Sequence, residues 1–308
     1  MRRTLLASAC LLATAQLLAV APVWAANQHP VQGILLKVNP AHRSIVVSCD
    51  AVPGYMDAMV MPFTVRGQND FKSLVPGVTV RFDLVQSKQG AYAEHLQVVD
   101  ASNFESEPTE AARLTFLHRA MDPTAAAKIV KVGEPVPDFT LIDQANQPTR
   151  LSQFKGKVVA LTFAYARCPN PNYCFRLSNN LFVLERRFRA QAGSNLILIT
   201  IVIDPDQDQG EALARFASTW KADPKAWHFL TGKLDDVHNV AELFGMDFWN
   251  DDDFITHTLH TVVIDREGKL AANIQGNQFT AEQLGDLVAT VLRRPVSPSS
   301  ALVSSTLP

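Results

Sequence analysis

The sequence has little net charge of either sign, and it contains few cysteines. The 28 basic and 30 acidic residues give a formal net charge of −2 over 308 residues. A basic surplus of the kind that holds a nucleic-acid backbone is therefore absent, and we expect no nucleic-acid partner. Four cysteines are too few for a scaffold held together by disulfides. An ordinary globular chain of this length has room for two domains with separate cores.

The N-terminal segment has the three parts of an export signal. It begins with two arginines, continues as an apolar run from Leu5 to Val20, and reaches a small-residue site at Ala25. We interpret residues 1–25 as a signal peptide, which predicts a periplasmic or otherwise exported protein. Retention as a membrane anchor is the alternative, because the apolar run is nearly long enough to span a bilayer.

Two regions with different periodicity divide the rest of the chain. Residues 31–99 contain short alternating segments such as VTVRFDL, which predict a small antiparallel β-barrel of the oligonucleotide/oligosaccharide-binding type. Residues 100–132 are acidic and proline-punctuated at their start, which predicts a linker with a short helix around 111–120. Strand and helix patterns alternate over 133–292 and predict an α/β domain with a mixed sheet. The Ser/Pro-rich residues 293–308 predict a disordered tail.

A cysteine pair lies where the second region passes from a strand into a helix, in AYARCPNPNYCFRLS. In the exported chain Cys168 and Cys174 form this pair, and Cys49 is left as an odd thiol. A helix N-terminus favours the thiolate, which is the form that attacks disulfides and binds metals. A structural disulfide, a redox reaction and a metal site are all open on the residues alone. We favour chemistry over a structural bridge, because a disulfide closing so short a loop adds little stability.

The second region resembles the Sco/SenC family of thioredoxin-like copper proteins. The resemblance rests on GEPVPDFTLIDQ, LSQFKGKVVALTFAYARCP, IVIDPDQDQGEALARFA, FLTG and ITHTLHTVVIDREGKL, in that order. It implies a thioredoxin-like fold and one copper ion, Cu(I) or Cu(II), bound by Cys168, Cys174 and His257. It also implies a role in supplying copper to the CuA site of an apo cytochrome c oxidase subunit or another copper acceptor, or in keeping that site's thiols reduced. The family pair has three intervening residues, whereas five stand here.

The chemistry of the residues agrees with copper. Two thiolates and an imidazole suit copper in either oxidation state, and zinc less specifically. His260 ranks second to His257 as a ligand, because strand alternation directs its side chain with the core-facing residues. Asp204 and Asp208 fall in the segment that matches the family's Asp-Pro motif.

The alternative function is a thiol–disulfide oxidoreductase or peroxidase that uses Cys168 and Cys174. Thioredoxin-type reductases carry a proline in the loop that faces their cysteines, and ITHTLHTVV contains none. We therefore rank metal handling above catalysis.

Soft sulfur side chains cluster in the first region. Met56, Met59 and Met61 are three of the six methionines in the chain, and they follow Cys49 closely. On a strand, Met59 and Met61 would share one face, and thioether and thiolate ligands select Cu(I). An ordinary core is the competing interpretation of such a cluster.

This region resembles the CusF type of periplasmic copper-binding barrel over 31–99. The resemblance implies a second copper site in which Met59 and Met61 take the methionine positions. Cys49 stands in place of the histidine and Met56 near the place of the tryptophan. The sequence as a whole thus predicts an exported copper-binding protein with a barrel module joined to a Sco-like domain.

Overall fold

The computed structural model describes residues 28–67, 71–87, 90–99, 117, 120–121, 129–251 and 254–295. The predicted signal segment, most of the predicted linker and residues 296–308 of the predicted tail lie outside these ranges. No helix in the described ranges is long and apolar enough to cross a membrane.

Five strands close into the N-terminal barrel. Hydrogen bonds join them in the order β1-β2-β3-β5-β4, and β1 pairs with β4 to complete the ring. Four of the five pairings are antiparallel and the β3–β5 pairing is parallel. Alternate side chains such as Val31, Phe63 and Phe82 fill the interior, so the predicted small β-barrel is confirmed. The strands are β1 Gln28–Asn39, β2 Ser44–Cys49, β3 Met59–Val65, β4 Thr79–Ser87 and β5 Gly90–Val98.

The second domain is a mixed sheet of seven strands with helices on both faces, in the order β14-β13-β8-β9-β10-β6-β7. The central strands β8, β9 and β10 run parallel, and both β8 and β9 are buried along their whole length, as a sheet covered on two faces requires. The predicted α/β architecture, a thioredoxin-like fold, is confirmed. Its strands are β6 Thr140–Asp143, β7 Pro148–Arg150, β8 Val158–Ala164, β9 Leu196–Val202, β10 Trp227–Thr231, β13 His260–Ile264 and β14 Leu270–Gln275, with a separate hairpin of β11 Phe248–Asp251 and β12 Phe254–His257; its helices are α1 Arg176–Arg187, α2 Glu211–Thr219, α3 Leu234–Leu243 and α4 Ala281–Leu292.

The barrel rests on helix α4 of the second domain. Ile34 and Leu36 of β1 belong to the same buried cluster as Leu284 and Leu287 of α4. Polar contacts border this apolar interface. The Ser48 hydroxyl donates to Asp286 at 2.7 Å, and the Gln283 amide donates to the Asp50 carboxylate at 2.8 Å; Asp286 also pairs with Arg187 of α1 at 2.7 Å.

Candidate metal site

Both cysteines of the pair lie in the connection between β8 and α1. Pro171–Phe175 form a single π-helical turn that continues directly into α1, a distortion often found at functional sites. The Asn170 side chain begins the turn by accepting a hydrogen bond from the Asn172 backbone at 2.9 Å. Cys174 lies inside this turn and is buried, whereas Cys168 precedes the turn and is partly exposed. Part of the five-residue spacing between the two cysteines thus lies in the π-helical turn.

His257 reaches the cysteines from a different part of the chain. It ends β12, and its Nε2 lies 3.6 Å from Cys174 Sγ. Its Nδ1 is 2.8 Å from the Thr258 carbonyl oxygen. Because a carbonyl can only accept, Nδ1 of the neutral ring carries the proton, and the lone pair of Nε2 faces the thiol. The ring is 2% exposed and meets Tyr165 edge-on.

The two thiols have opposite proton affinities. A hydrogen bond from Cys174 lowers the pKa of Cys168 to about 4 against the effect of burial. Burial, and next the neighbouring Cys168 sulfur, raise the pKa of Cys174 well above its usual value. Burial and the nearby Cys168 charge also raise the pKa of Tyr165. At neutral pH the pair is therefore one accessible thiolate and one buried thiol.

Two aspartates hold the backbone that leads into Cys168. Asp208 accepts a hydrogen bond from the Ala166 backbone N–H at 2.7 Å, and Arg167 donates to Asp204 at 2.8 Å. In the sequence both aspartates fall in a family motif, but the motif alone indicates no role for them. Because one carboxylate bonds to the backbone of the loop and the other to its arginine, their position indicates that they support the loop.

The structure brings Cys168, Cys174 and His257 together without forming a finished metal centre. In the described ranges no three or more histidine, cysteine, aspartate or glutamate side chains stand ready to hold an ion, and none of the three described cysteines forms a disulfide. Metal binding here requires loss of the Cys174 proton and inward movement of the donors. Two sulfurs and an imidazole nitrogen are a donor set that fits copper. His260 instead faces Asn273 at 2.9 Å.

The sulfur donors of the barrel share one face at one end of it. Cys49 pairs with Met59 across β2 and β3, and Val47 with Met61, so these four side chains lie on the same face of the strand pair. Their depths differ, because Cys49 is 1% exposed while Met59 is 44% exposed at the barrel mouth. Met56 and Met61 pack against the barrel core. Burial, and next the Asp50 charge, raise the pKa of Cys49 to about 12, so this residue is a core thiol in the structure.

Fold and site together define a thioredoxin-like domain with a dithiol and a histidine, preceded by a barrel with clustered sulfur donors. Family models match both parts: residues 131–293 match SCO1/SenC, and residues 28–98 match the copper binding periplasmic protein CusF. The first match covers more than half of the chain. The chain therefore belongs to the SCO1/SenC family. Both families bind copper, and both resemblances seen in the sequence are confirmed.

Individual relatives are distant and match the second domain. The human protein named "Protein SCO2 homolog, mitochondrial" is 26% identical over 173 residues, which are 54% of this chain and 62% of the relative. "Protein sco1" of Schizosaccharomyces pombe is 24% identical over 162 residues, 49% of this chain and 59% of the relative. The chain thus spans about three fifths of these relatives. The structure titled "Crystal Structure of Yeast Sco1 with Copper Bound" is 20% identical, with a TM-score of 0.46, and covers 54% of this chain and 92% of that one.

Proposed function

We propose that this chain is an exported copper metallochaperone. Copper is its cargo, bound in the second domain by Cys168, Cys174 and His257 and passed to a copper acceptor, of which the CuA site of an apo cytochrome c oxidase subunit is the preferred candidate. The contact of 3.6 Å between Cys174 Sγ and His257 Nε2 carries the proposal. Membership of the SCO1/SenC family supports copper as the metal.

Accessibility assigns different tasks to the three donors. Cys168 is the partly exposed thiolate and meets incoming copper first. Cys174 and His257 are buried, and they close the site behind the metal once the Cys174 proton has left. The same asymmetry favours release at Cys168, because a donor of the acceptor protein can displace the exposed sulfur before the buried ones.

An anaerobic copper titration of the full chain tests this site. We expect thiolate-to-copper charge-transfer absorption that is lost in Cys168→Ser and weakened or shifted in His257→Asn. The matched control is His260→Asn, which should leave the spectrum unchanged because His260 faces Asn273. An unchanged spectrum and an unchanged copper stoichiometry in Cys168→Ser would contradict the proposed site.

For the barrel we propose a second, Cu(I)-selective site at Met59 and Met61, with Cys49 and Met56 as further donors. The position of Met59, Met61 and Cys49 on one face of these paired strands supports it. Because Cys49 is buried as a thiol, its participation requires the barrel mouth to open and the proton to leave. The exposed Met59 is the donor that meets the ion first.

Thiol–disulfide exchange is a second candidate function, favoured by the pairing of an accessible thiolate with a buried thiol. In that reaction Cys168 attacks a partner disulfide, and one partner sulfur leaves as a thiolate. Cys174 then gives its proton to the departing thiolate through His257 Nε2 and attacks Cys168, which releases the second partner sulfur. The partner disulfide is reduced to a dithiol while Cys168 and Cys174 become a disulfide. Rapid turnover of a disulfide substrate that either cysteine substitution abolishes would place this function first.

We further propose that residues 1–25 direct export to the periplasm and are cleaved after Ala25. The match to a periplasmic copper-binding family supports an exported location. Retention of the segment would instead anchor the protein to the membrane, and N-terminal sequencing of the protein from its native cell distinguishes the two.

A further inference from the structure

An elongated trough leads away from the cysteine pair between helices α1 and α2. Its first part, of about 770 Å³, is lined at one end by Cys168 and Cys174. A second cavity of about 500 Å³ shares Phe182, Arg186 and Lys221 with the first. The two cavities therefore adjoin along these side chains, and an occupant that contacts both must be extended.

Aromatic side chains line the trough next to the reactive sulfurs. Phe175, which directly follows Cys174, is 59% exposed. Its ring lies 5.2 Å from that of Trp220, and both belong to the trough wall. Phe175 and Trp220 thus form an apolar wall beside the reactive sulfurs, against which an apolar side chain can pack.

Polar groups in the same wall have unused hydrogen-bonding capacity. The Ser178 hydroxyl and the Trp220 indole N–H are buried and have no hydrogen-bond partner among the described residues. Buried groups of this kind are normally paired. Neither atom is accessible from the trough in this structure, so a docked segment would pair with them only after the wall rearranges.

Basic side chains outnumber acidic ones along the trough. Arg186 and Lys221 lie where the two cavities join, and neither forms an ion pair with a described carboxylate. The Arg186 guanidinium lies over the Phe182 ring at 5.2 Å. The basic residues lining the two cavities are Arg167, Arg186, Arg189, Arg215 and Lys221, and the acidic ones are Glu185, Asp208 and Asp223.

We propose that this trough docks an extended acidic segment of the protein that exchanges copper with Cys168, with an apolar side chain of that segment against Phe175 and Trp220. The inference rests on the proposed function, since the donors at the head of the trough are those that the partner must reach. Arg186 and Lys221 supply the charge complementarity, which acts mainly on specificity and on the rate of encounter.

The probe is a fluorescein-labelled synthetic peptide of alternating Glu and Phe, with Lys/Phe and Glu/Ser peptides of equal length beside it. Fluorescence anisotropy with the full chain should show binding of the Glu/Phe peptide that weakens as salt is added. The double variant Arg186→Glu, Lys221→Glu should weaken it by about tenfold or more, and Phe175→Ser should also weaken it. Lys269→Glu is the matched control, because Lys269 is exposed in the β13–β14 turn at the opposite end of the sheet.

Three results would overturn the docking proposal. One is no binding of the Glu/Phe peptide, or equal binding of the Lys/Phe peptide. Another is a double variant that binds as well as Lys269→Glu does. The third is displacement of the peptide by millimolar inorganic phosphate, which would mark a small-anion site.

The same variants are titrated with copper. Arg186→Glu, Lys221→Glu should keep the charge-transfer spectrum, so that a docking defect is separated from a metal-binding defect. Peptide binding that persists while Cys168→Ser leaves copper binding intact would reject the copper site and retain the trough as a docking surface.

Discussion

The carboxylate of Asp208 accepts a hydrogen bond from the backbone N–H of Ala166 at 2.7 Å, two residues before Cys168. Asp208 is 3% exposed, and burial raises its pKa. Asp208→Ala would remove this part-buried hydrogen bond, at a cost of about 1 kcal/mol in the free energy of unfolding. We expect weaker copper binding as well, because the loop loses its support. Asp208→Asn keeps an acceptor oxygen and should lose less of both; chemical denaturation and a copper competition titration measure them. Equal copper affinity in the parent protein, Asp208→Ala and Asp208→Asn would contradict the supporting role of Asp208.

The opposite pKa shifts of the two thiols predict selective alkylation. The pKa of Cys168 is lowered to about 4, so its thiolate persists as the pH falls from 8 to about 5, where an ordinary thiol is protonated. Iodoacetamide should therefore modify Cys168 throughout this range, while Cys174 stays protonated and unreactive. Mass spectrometry of the metal-free, reduced full chain identifies the modified cysteine. In denaturant the two cysteines should react alike, and preferential labelling of Cys174 in the folded chain would reverse the assignment.

The methionines of the barrel mouth can be tested without removing their volume. Met59→Leu with Met61→Leu should lower Cu(I) affinity while changing the free energy of unfolding by less than about 1.5 kcal/mol per site. The measurement is competition with a Cu(I) chelator, made on the full chain carrying Cys168→Ser so that the other site is silent. Met121→Leu is the control, since that side chain is 85% exposed. If these methionines served only the core, stability alone would change.

A buried hydrogen bond in the sheet gives a prediction for stability alone. The Trp227 indole N–H donates to the Thr200 hydroxyl at 3.0 Å, and both side chains are fully buried. Thr200→Val keeps the shape but removes the acceptor, which should cost about 1–3 kcal/mol. Thermal unfolding measures this loss, and Thr200→Ser, which retains a hydroxyl, should recover part of it. Copper stoichiometry should be the same in all three proteins.

Periodicity was enough to predict the elements that place the site. Leu177, Leu181 and Leu184 are spaced as one face of a helix, and all three are buried in α1. The apolar run after Lys157 is typical of a buried strand and forms β8, which leads to Cys168. The order of the family motifs along the chain predicted His257 as a copper ligand. No local sequence pattern connects this residue with the cysteines.

Other parts of the site depend on contacts that no sequence pattern reveals. One is the π-helical turn Pro171–Phe175, which contains Cys174 and which no spacing in the sequence indicates. The direction of the His257 lone pair depends on the carbonyl of the next residue, Thr258. The trough combines side chains of α1 and α2 that lie far apart in the chain, so their shared charge becomes visible only in the fold.

The interface at α4 means that the two regions are not independent modules. Ile34 and Leu36 complete a core that is largely built by the second domain, so either region produced alone would expose apolar surface that the other normally covers. A single protease cut between residues 100 and 128 should accordingly yield two fragments that remain associated and co-elute, because the contact of β1 with α4 holds them together.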